Sequence, residues 1–393
     1  MPNVLFANHL RLGSASSYRQ AGFAKYLRMI GHDCSLISRA NEMRSSTPSE
    51  SGEKRSEQEK WDQYSKIYSW KEPLAQKFLS NRRVFSSASK VFSVVHVNRA
   101  NPFTASVVAS ARSSNWKLVV DMEDWDGFGG YSTYAHRYGA AGGLLTFYEQ
   151  WFPRTADAVI VVSHLLGDLM VRAGVPRRKI FLIPNGYDPD LFHNGVSGKE
   201  TRKEYDLGDS PVVIYASTYW NFEKNLHETA FAAFKKIAEF VPDVKFLLVG
   251  SGNIAIKTMI SEFGLGKNAI ATGFVARDRV PQLMATADVA MHVISNHPFH
   301  CASSPMIIPE YMAVGKPIVA PRIGELGLML EGGAGYLVGR PEPDLLADGV
   351  IKLLKDDALR SDLGTRAALR ASEKYSYRVL AKNVKQTYEE IAA

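Results

Sequence analysis

The sequence predicts an α/β protein of two doubly wound parallel-sheet domains facing a cleft, and three observations lead there. Its 393 residues, 46% of them hydrophobic, exceed the size at which one core usually stops growing. A β–loop–α–β rhythm opens both halves of the chain. Between the halves runs "IPNGYDPDLF", residues 183–192, dense in the Pro, Gly, Asn and Asp that interrupt regular structure.

In the first half, the apolar run Val4–Ala7 reads as a strand, LRLGSAS as a loop, and Tyr18–Ile30 as a helix. The turn Gly31-His32-Asp33 then leads into a strand over Cys34–Ser38, the start of a parallel sheet. Residues 41–62 are polar and charged enough for a mobile loop or insertion. The stretch "KIYSWKEPLAQKFLSNRRVF", 66–85, mixes aromatics with Lys and Arg; it reads as a packed helix or as an amphipathic helix on a membrane surface, with Pro73 interrupting either. The second half repeats the rhythm with Val212–Ala216, a helix from about Leu226 to Phe240, the turn at Pro242-Asp243, and the strand of "KFLLVG" ending at Gly250. In "SSPMIIPEYMAVGKPIVAP", 303–321, Pro309 opens a helix and places Glu310 at its second position, Gly315 stops it in the left-handed region, and Ile318–Ala320 forms a buried strand. The end of the chain, "YSYRVLAKNVKQTYEEIAA", has a helical period and is expected to pack across the two domains.

Strand-length apolar runs fall short of the ~18 residues of a spanning helix. The first residues lack the basic flank and long apolar core of a signal peptide, and Cys34 and Cys301 lie far apart, so a reducing, cytoplasmic setting is expected. Residues 1–190 hold 24 Lys+Arg against 17 Asp+Glu and residues 191–393 hold 23 against 23, so the first half carries the whole +7 excess. Without a basic stripe interleaved with aromatics, nucleic acid is not expected as a partner; a phosphate-bearing substrate or peripheral contact with an anionic membrane suits the charge better.

Ligands in open α/β sheets bind beyond the carboxyl ends of strands, so the loops there hold the candidates. Gly13 and Ser14 follow the first strand, where a glycine lets backbone N–H groups approach a phosphate or sugar; a plain turn accounts for them equally. Neither domain opens with GxGxxG, against a nicotinamide or flavin enzyme. In "VVDMEDWDG", 119–127, Glu123 and Asp124 stand among four acids at a strand end. Asp124-Trp125-Asp126 spells an Asp-x-Asp pair that could hold a divalent cation, one carboxylate could steer an acceptor hydroxyl, and a salt-bridged cluster is the third reading. Lys224, next to a helix start, can present its ammonium to a diphosphate or lie on the surface. Glu310 suits the positive end of a helix.

The stretches "FLIPNGYDPDLF" (181–192), "EKNL" (223–226), "FLLVGSGN" (246–253), "GFVARDRVPQLMATADV" (273–289) and "PEYMAVGKPIVAP" (309–321) stand in the order and spacing of the retaining, nucleotide-sugar-dependent glycosyltransferases of family 4, which this chain resembles. "ADAVIVVS" (156–163) resembles the last strand of that family's amino-terminal domain. The likeness covers nearly all the chain. It implies a GT-B fold of two Rossmann-like domains: 1–188 for the acceptor, 189–372 for the nucleotide-sugar, and a helix over 373–393 crossing back to the first domain. It also implies a UDP- or GDP-sugar co-substrate, an acceptor that is a glycan or polyprenyl-linked lipid, transfer with retention, and no metal or other cofactor. Residue by residue, Glu310 matches the glutamate that bonds the donor ribose, Lys224 the phosphate-binding lysine, and Gly13 with Ser14 the amino-terminal glycine loop. Phe274 and Val275 match the strand end whose backbone meets the base, Gly250 the glycine closing the preceding strand, and Ser304, Pro305, Met306 and Ile307 the stretch whose N–H groups face the diphosphate.

The chain also departs from that pattern. Ala302 stands where the family often has a second glutamate, Tyr219 where it has a phosphate-binding arginine, Ile307 where some relatives carry a lysine, and Glu123 where a histidine is common on the acceptor side. Asn296, His297 and His300 are candidates to supply the missing donor-sugar contacts. The segment 127–152, rich in Gly and aromatics, is a candidate acceptor wall. The reading that results is a sugar transferase of cell-envelope glycan or glycolipid synthesis. A nucleotide-sugar-binding protein without transfer activity and a nucleotide-sugar epimerase on the same fold are the rivals.

Overall fold

The computed structural model describes residues 2–11, 15–39, 66–70, 78–113, 115–135, 139, 141–217, 220 and 223–392. They form two compact units, the first made of Met1–Gly186, Ala302–Ser304 and Tyr377–Ala393, the second of Tyr187–Cys301 and Pro305–Ser376.

The first unit holds seven strands: β1 (Val4–Arg11), β2 (Cys34–Arg39), β3 (Lys66–Trp70), β4 (Val94–Asn98), β5 (Lys117–Met122), β6 (Ala158–Val161) and β7 (Ile180–Leu182). Every pairing is parallel, in the order β3-β2-β1-β4-β5-β6-β7. This is the doubly wound order, which reverses between β1 and β4. Alternation along each strand feeds two cores: Leu5 and Ala7 face one side with Val95 and Val97, while Val4, Phe6 and Val94 face the other. The second unit has β8 (Val212–Ala216), β9 (Lys245–Val249), β10 (Ala269–Gly273), β11 (Val289–Met291), β12 (Ile318–Pro321) and β13 (Tyr336–Val338), parallel in the order β10-β9-β8-β11-β12-β13. Here Val212 and Ile214 serve one core and Val213 and Tyr215 the other.

Several local expectations are corrected. β1 runs on to Arg11, through residues read as a loop, because parallel pairing with β2 extends to Arg39. Lys66–Trp70 is an edge strand on β2 rather than part of a helix, so the membrane-surface helix expected over 66–85 does not form there; a helix begins at Phe78. The stretches 41–62 and 71–77, Pro73 included, lie outside the described residues. The first sheet ends on β7, one strand beyond "ADAVIVVS". The final helix starts at Tyr377, after a separate helix over Asp357–Lys374. It packs on the Ala15–Met29 helix within the first unit, where a Cβ at Gly22 would lie 2.3 Å from the Tyr377 ring. Among the described residues no helix is long and apolar enough to cross a membrane.

Candidate functional site

In the second unit the helix before β12 spans Ile307–Ala313, so Pro309 and Glu310 are its third and fourth residues rather than its first and second. The proline is still tolerated, because its missing N–H falls among the four donors that have no partner in a first turn. The Ile308 N–H, next to the stretch expected to face a diphosphate, donates to the Pro305 carbonyl at 3.2 Å. At the other end Gly315 has φ +73°, its N–H donates to Met312, and the Lys316 N–H donates to Tyr311. These are the paired bonds of a Schellman stop, and β12 follows.

Glu310 is 2% exposed, and the Arg277 guanidinium pairs with its carboxylate. Arg277 also lies over the Phe192 ring, 4.6 Å from its centroid. Burial pushes the Glu310 pKa up and Arg277 pulls it back, leaving it above the ordinary value. A carboxylate so placed is shielded from water, has one cationic partner among the described residues, and can accept hydrogen bonds from a ligand's hydroxyls.

Lys224 is the first residue of its helix, not the residue before it, and its side chain is 73% exposed with Glu228 at 3.4 Å. A cation at the positive end of a helix gains nothing from the helix dipole, so the dipole does not account for a lysine at this position. The preceding residue, Glu223, does not cap the helix with its side chain; its Oε1 meets His300 Nε2 at 3.0 Å. His300 Nδ1 lies 2.8 Å from Ser295 Oγ, so both ring nitrogens of His300 have partners. His297 Nδ1 accepts the Phe299 N–H, and burial with His300 nearby lowers the His297 pKa. His292, one residue beyond β11, has two buried ring nitrogens without a hydrogen-bond partner; burial, then His300, brings its pKa down to about 4, so the ring is neutral.

Gly250 has φ +136°, and a Cβ there would lie 2.0 Å from the Ser217 carbonyl, so backbone packing alone demands glycine. Phe274 is exposed and Val275 packs on the core. Ser304 is buried: its Oγ accepts the Asn185 N–H at 3.2 Å and its carbonyl accepts Asn185 Nδ2 at 2.7 Å. Pro305, Met306 and Ile307 are half-buried. The carbonyl of the fully buried Ala302 accepts the Ser163 hydroxyl at 2.6 Å. Gly13, Ser14 and Tyr219 lie outside the described residues.

In the first unit the acids around the end of β5 separate by environment. Asp121, inside the strand, accepts both Nε (2.8 Å) and Nη2 (3.1 Å) of the fully buried Arg19. Arg19 also donates to the carbonyls of Ile183 and Pro184 and to Asn185 Oδ1, while Asp121 meets His96, which meets the Tyr388 hydroxyl. Burial works against the ionised Asp121, but Arg19 and His96 outweigh it and hold the carboxyl below its ordinary value. Glu123, 4% exposed, takes a hydrogen bond from Asn98 Nδ2 at the end of β4. Burial, reinforced by Asp121 and opposed by Arg19, pushes its pKa up to about 7. Asp124 and Asp126 both pair with Arg99, whose φ of +57° marks the tight turn after β4. The Asp-x-Asp pair thus has an organic counter-cation, and among the described residues no group of three or more His, Cys, Asp or Glu side chains is placed to hold a metal ion.

Glu123 and Asp124 are therefore close to one another, and Lys224 is next to Glu223 and the His300 loop. Sequence reasoning missed Arg277, Glu223, His292, Arg19 and Arg99. All but His292 are joined to a partner by the fold: Arg277 stands 33 positions from Glu310 and Arg19 stands 102 from Asp121. The acid cluster pointed to a counter-charge but not to which arginine supplies it.

Comparison with known proteins follows the same division. The sequence model of Glycosyltransferase Family 4 matches residues 21–191 and that of Glycosyl transferases group 1 matches residues 198–370, so together they cover most of the chain. The chain is 25% identical over 239 residues to the N-acetyl-alpha-D-glucosaminyl L-malate synthase of Bacillus anthracis, covering 60% of each protein. It is 25% identical over 261 residues to the alpha-galactosylglucosyldiacylglycerol synthase of Streptococcus pneumoniae, covering 64% of this chain and 66% of that one. The chain thus spans about three fifths to two thirds of the length of these curated relatives. In fold it is similar to Anabaena HepE, solved in complex with UDP and glucose, with a TM-score of 0.75 at 18% identity over 99% of this chain and 100% of that one. Doubly wound order in both units, two family models in register and a fold likeness over the whole chain agree: the chain belongs to the glycosyltransferases of family 4, group 1, and has the GT-B fold.

Proposed function

We propose that the protein transfers a sugar from a UDP- or GDP-sugar to an acceptor hydroxyl, with retention of anomeric configuration and without a resident metal. The observation that carries this reading is Glu310, a buried carboxylate in the first turn of the helix before β12 and paired with Arg277, a group whose chemistry suits accepting a ribose's hydroxyls. Other residues of the second unit fit the rest of a donor. Lys224 is exposed at a helix start to meet a diphosphate, Phe274 and Val275 stand where β10 ends to meet the base, and the neutral His292 ring offers one donor and one acceptor to a sugar. As the bond to the diphosphate breaks, Lys224 and backbone N–H groups stabilise the charge that develops on it. The acceptor hydroxyl approaches on the face the diphosphate leaves, and a donor phosphate oxygen takes its proton. Glu123, its pKa near 7, suits hydrogen bonding to an acceptor hydroxyl better than Asp124, which Arg99 already occupies.

Relatives named for lipid products, among them a GDP-mannose-dependent phosphatidylinositol monomannoside mannosyltransferase of Mycolicibacterium smegmatis, support a glycolipid or glycan acceptor in envelope synthesis. One observation favours a nucleotide-sugar binder instead: the buried methyl of Ala302 offers no carboxylate where the family often has one. Incubating the protein with UDP- and GDP-sugars and a panel of lipid and glycan acceptors, without metal, decides between them. Glycosylated acceptor with the donor's anomeric configuration is expected. Nucleotide binding without product across the panel would leave the binder, and donor epimerised without any acceptor would leave the epimerase.

A further inference from the structure

The Ala141–Trp151 helix of the first unit turns an apolar face outward. Leu144 is 53% and Phe147 55% exposed, and the Phe147 ring stacks on Trp151 with centroids 6.1 Å apart. Phe128, 52% exposed, is held beside them: its N–H donates to Thr146 Oγ1 at 2.7 Å, and its ring lies 2.8 Å from where a Cβ at Gly142 would stand. Single exposed apolar side chains are ordinary on a protein surface, but three large ones gathered about one helix mark an interaction site.

Basic charge adjoins this face. Arg154 follows the helix and, with Arg172, rims a cavity of about 180 Å³ whose apolar lining includes Met122, Trp125, Leu166 and Met170. Among the described residues neither arginine is in an ion pair, whereas nearby Arg177 has Asp168 at 3.1 Å. The acid that lines the cavity, Glu149, has its two oxygens engaged by the N–H groups of Asp126 and Gly127. Arg178 and Lys179 follow close in sequence, in the half of the chain that carries the whole positive excess.

We propose that this face docks the protein on an anionic bilayer, with Phe128, Leu144 and Phe147 entering the boundary of the acyl chains and Arg154 and Arg172 holding lipid phosphates. Exposed aromatic and aliphatic side chains bordered by guanidinium groups with no carboxylate partner among the described residues, Arg154 Nε donating only to the Gln150 carbonyl at 2.8 Å, match an interface that is apolar below and negatively charged above. The surface differs from the 66–85 stretch that composition had suggested, and it places a lipid acceptor's membrane against the unit that carries Glu123.

The test is sedimentation with vesicles of phosphatidylcholine alone and of phosphatidylcholine with phosphatidylglycerol, at low and high salt. Wild type is expected to pellet with the anionic vesicles at low salt and to be released by high salt. Arg154→Gln with Arg172→Gln should weaken partitioning about thirtyfold, since each arginine near such a surface contributes about a factor of five. Leu144→Ser with Phe147→Ser should abolish it. All these side chains are exposed or on a cavity rim, so unchanged melting temperatures will show the variants folded. UDP and GDP titrations in parallel separate this proposal from the donor assignment, because docking is expected whether or not a nucleotide binds. Wild type left in the supernatant with anionic vesicles would overturn it. So would undiminished pelleting of both variants, or a dimer in solution that Phe147→Ser dissociates, which would assign the face to a second copy.

Discussion

The guanidinium of Arg277 closes on the buried carboxylate of Glu310, and the same group lies 4.6 Å from the centre of the Phe192 ring. An arginine from the loop after β10 thus fixes a carboxylate in the helix before β12. Replacing it by alanine leaves Glu310 buried without its counter-charge, at a cost of about 3 kcal/mol, and raises a pKa already above its ordinary value. Affinity for UDP or GDP in Arg277→Ala should then improve as pH rises from 6 to 8, because the ionised carboxylate is the better acceptor for ribose hydroxyls. Urea denaturation and nucleotide titration at both pH values check the two statements; a variant as stable as wild type would show the pair to be incidental.

Glu123 makes stability depend on pH. Its pKa near 7 exceeds that of an exposed glutamate, so between about pH 4.5 and 7 the folded protein binds more protons than the unfolded chain. This contribution is therefore fully present at the acid end of the window and is lost as pH climbs through it, by on the order of 3 kcal/mol. Glu123→Gln keeps an acceptor for Asn98 and should flatten this part of the profile. Denaturation midpoints of both proteins across that range measure it, and parallel profiles would place the titration elsewhere.

Asp121 works in the opposite sense. It neutralises Arg19, which is fully buried and which also holds the carbonyls of Ile183 and Pro184. Asp121→Asn leaves that guanidinium without a counter-charge and should cost about 3–5 kcal/mol. The loss should appear as a lowered melting temperature; a change below about 1 kcal/mol would mean the pair behaves as a surface one.

How far the sequence carried each feature depended on the distance between partners. The stop at Gly315 and the strand after it were legible because the signals are adjacent: a glycine in the left-handed region, a proline two residues on, then an apolar run. The start of that helix was misread by two residues because Pro309 satisfies the first turn equally well as its third residue. β3 was hidden because "KIYSW" spans only five positions, does not alternate strictly between polar and apolar side chains, and is followed by a stretch of mixed character. β7, three residues long, has too short a pattern to stand out. Gly250 was read as a binding residue, yet its closeness to Ser217 is sufficient reason for glycine. Glu310 was picked out by its place in a motif, while Arg277 in "GFVARDRV" looks like any surface arginine until the fold brings it across.

Lys224 separates stability from binding. Its side chain is exposed and its ion pair with Glu228 spans one helical turn, so Lys224→Ala should change stability by no more than about 0.5 kcal/mol. Affinity for UDP or GDP should fall about tenfold or more while affinity for the nucleosides stays the same, because only the diphosphate meets the ammonium. Calorimetric titration with nucleoside and diphosphate tells the two apart; equal losses would move Lys224 away from the phosphates.

The second unit is expected to bind a nucleotide through Glu310. Thermal unfolding of wild type and Glu310→Ala with UDP, GDP and ADP, without added metal, checks this in one experiment. A nucleotide at a hundred times its dissociation constant stabilises the folded state by about 2.7 kcal/mol. One of the three is expected to raise the melting temperature of wild type and to leave Glu310→Ala unmoved. No rise with any of them, or an equal rise in the variant, would contradict the assignment of Glu310 to the donor ribose.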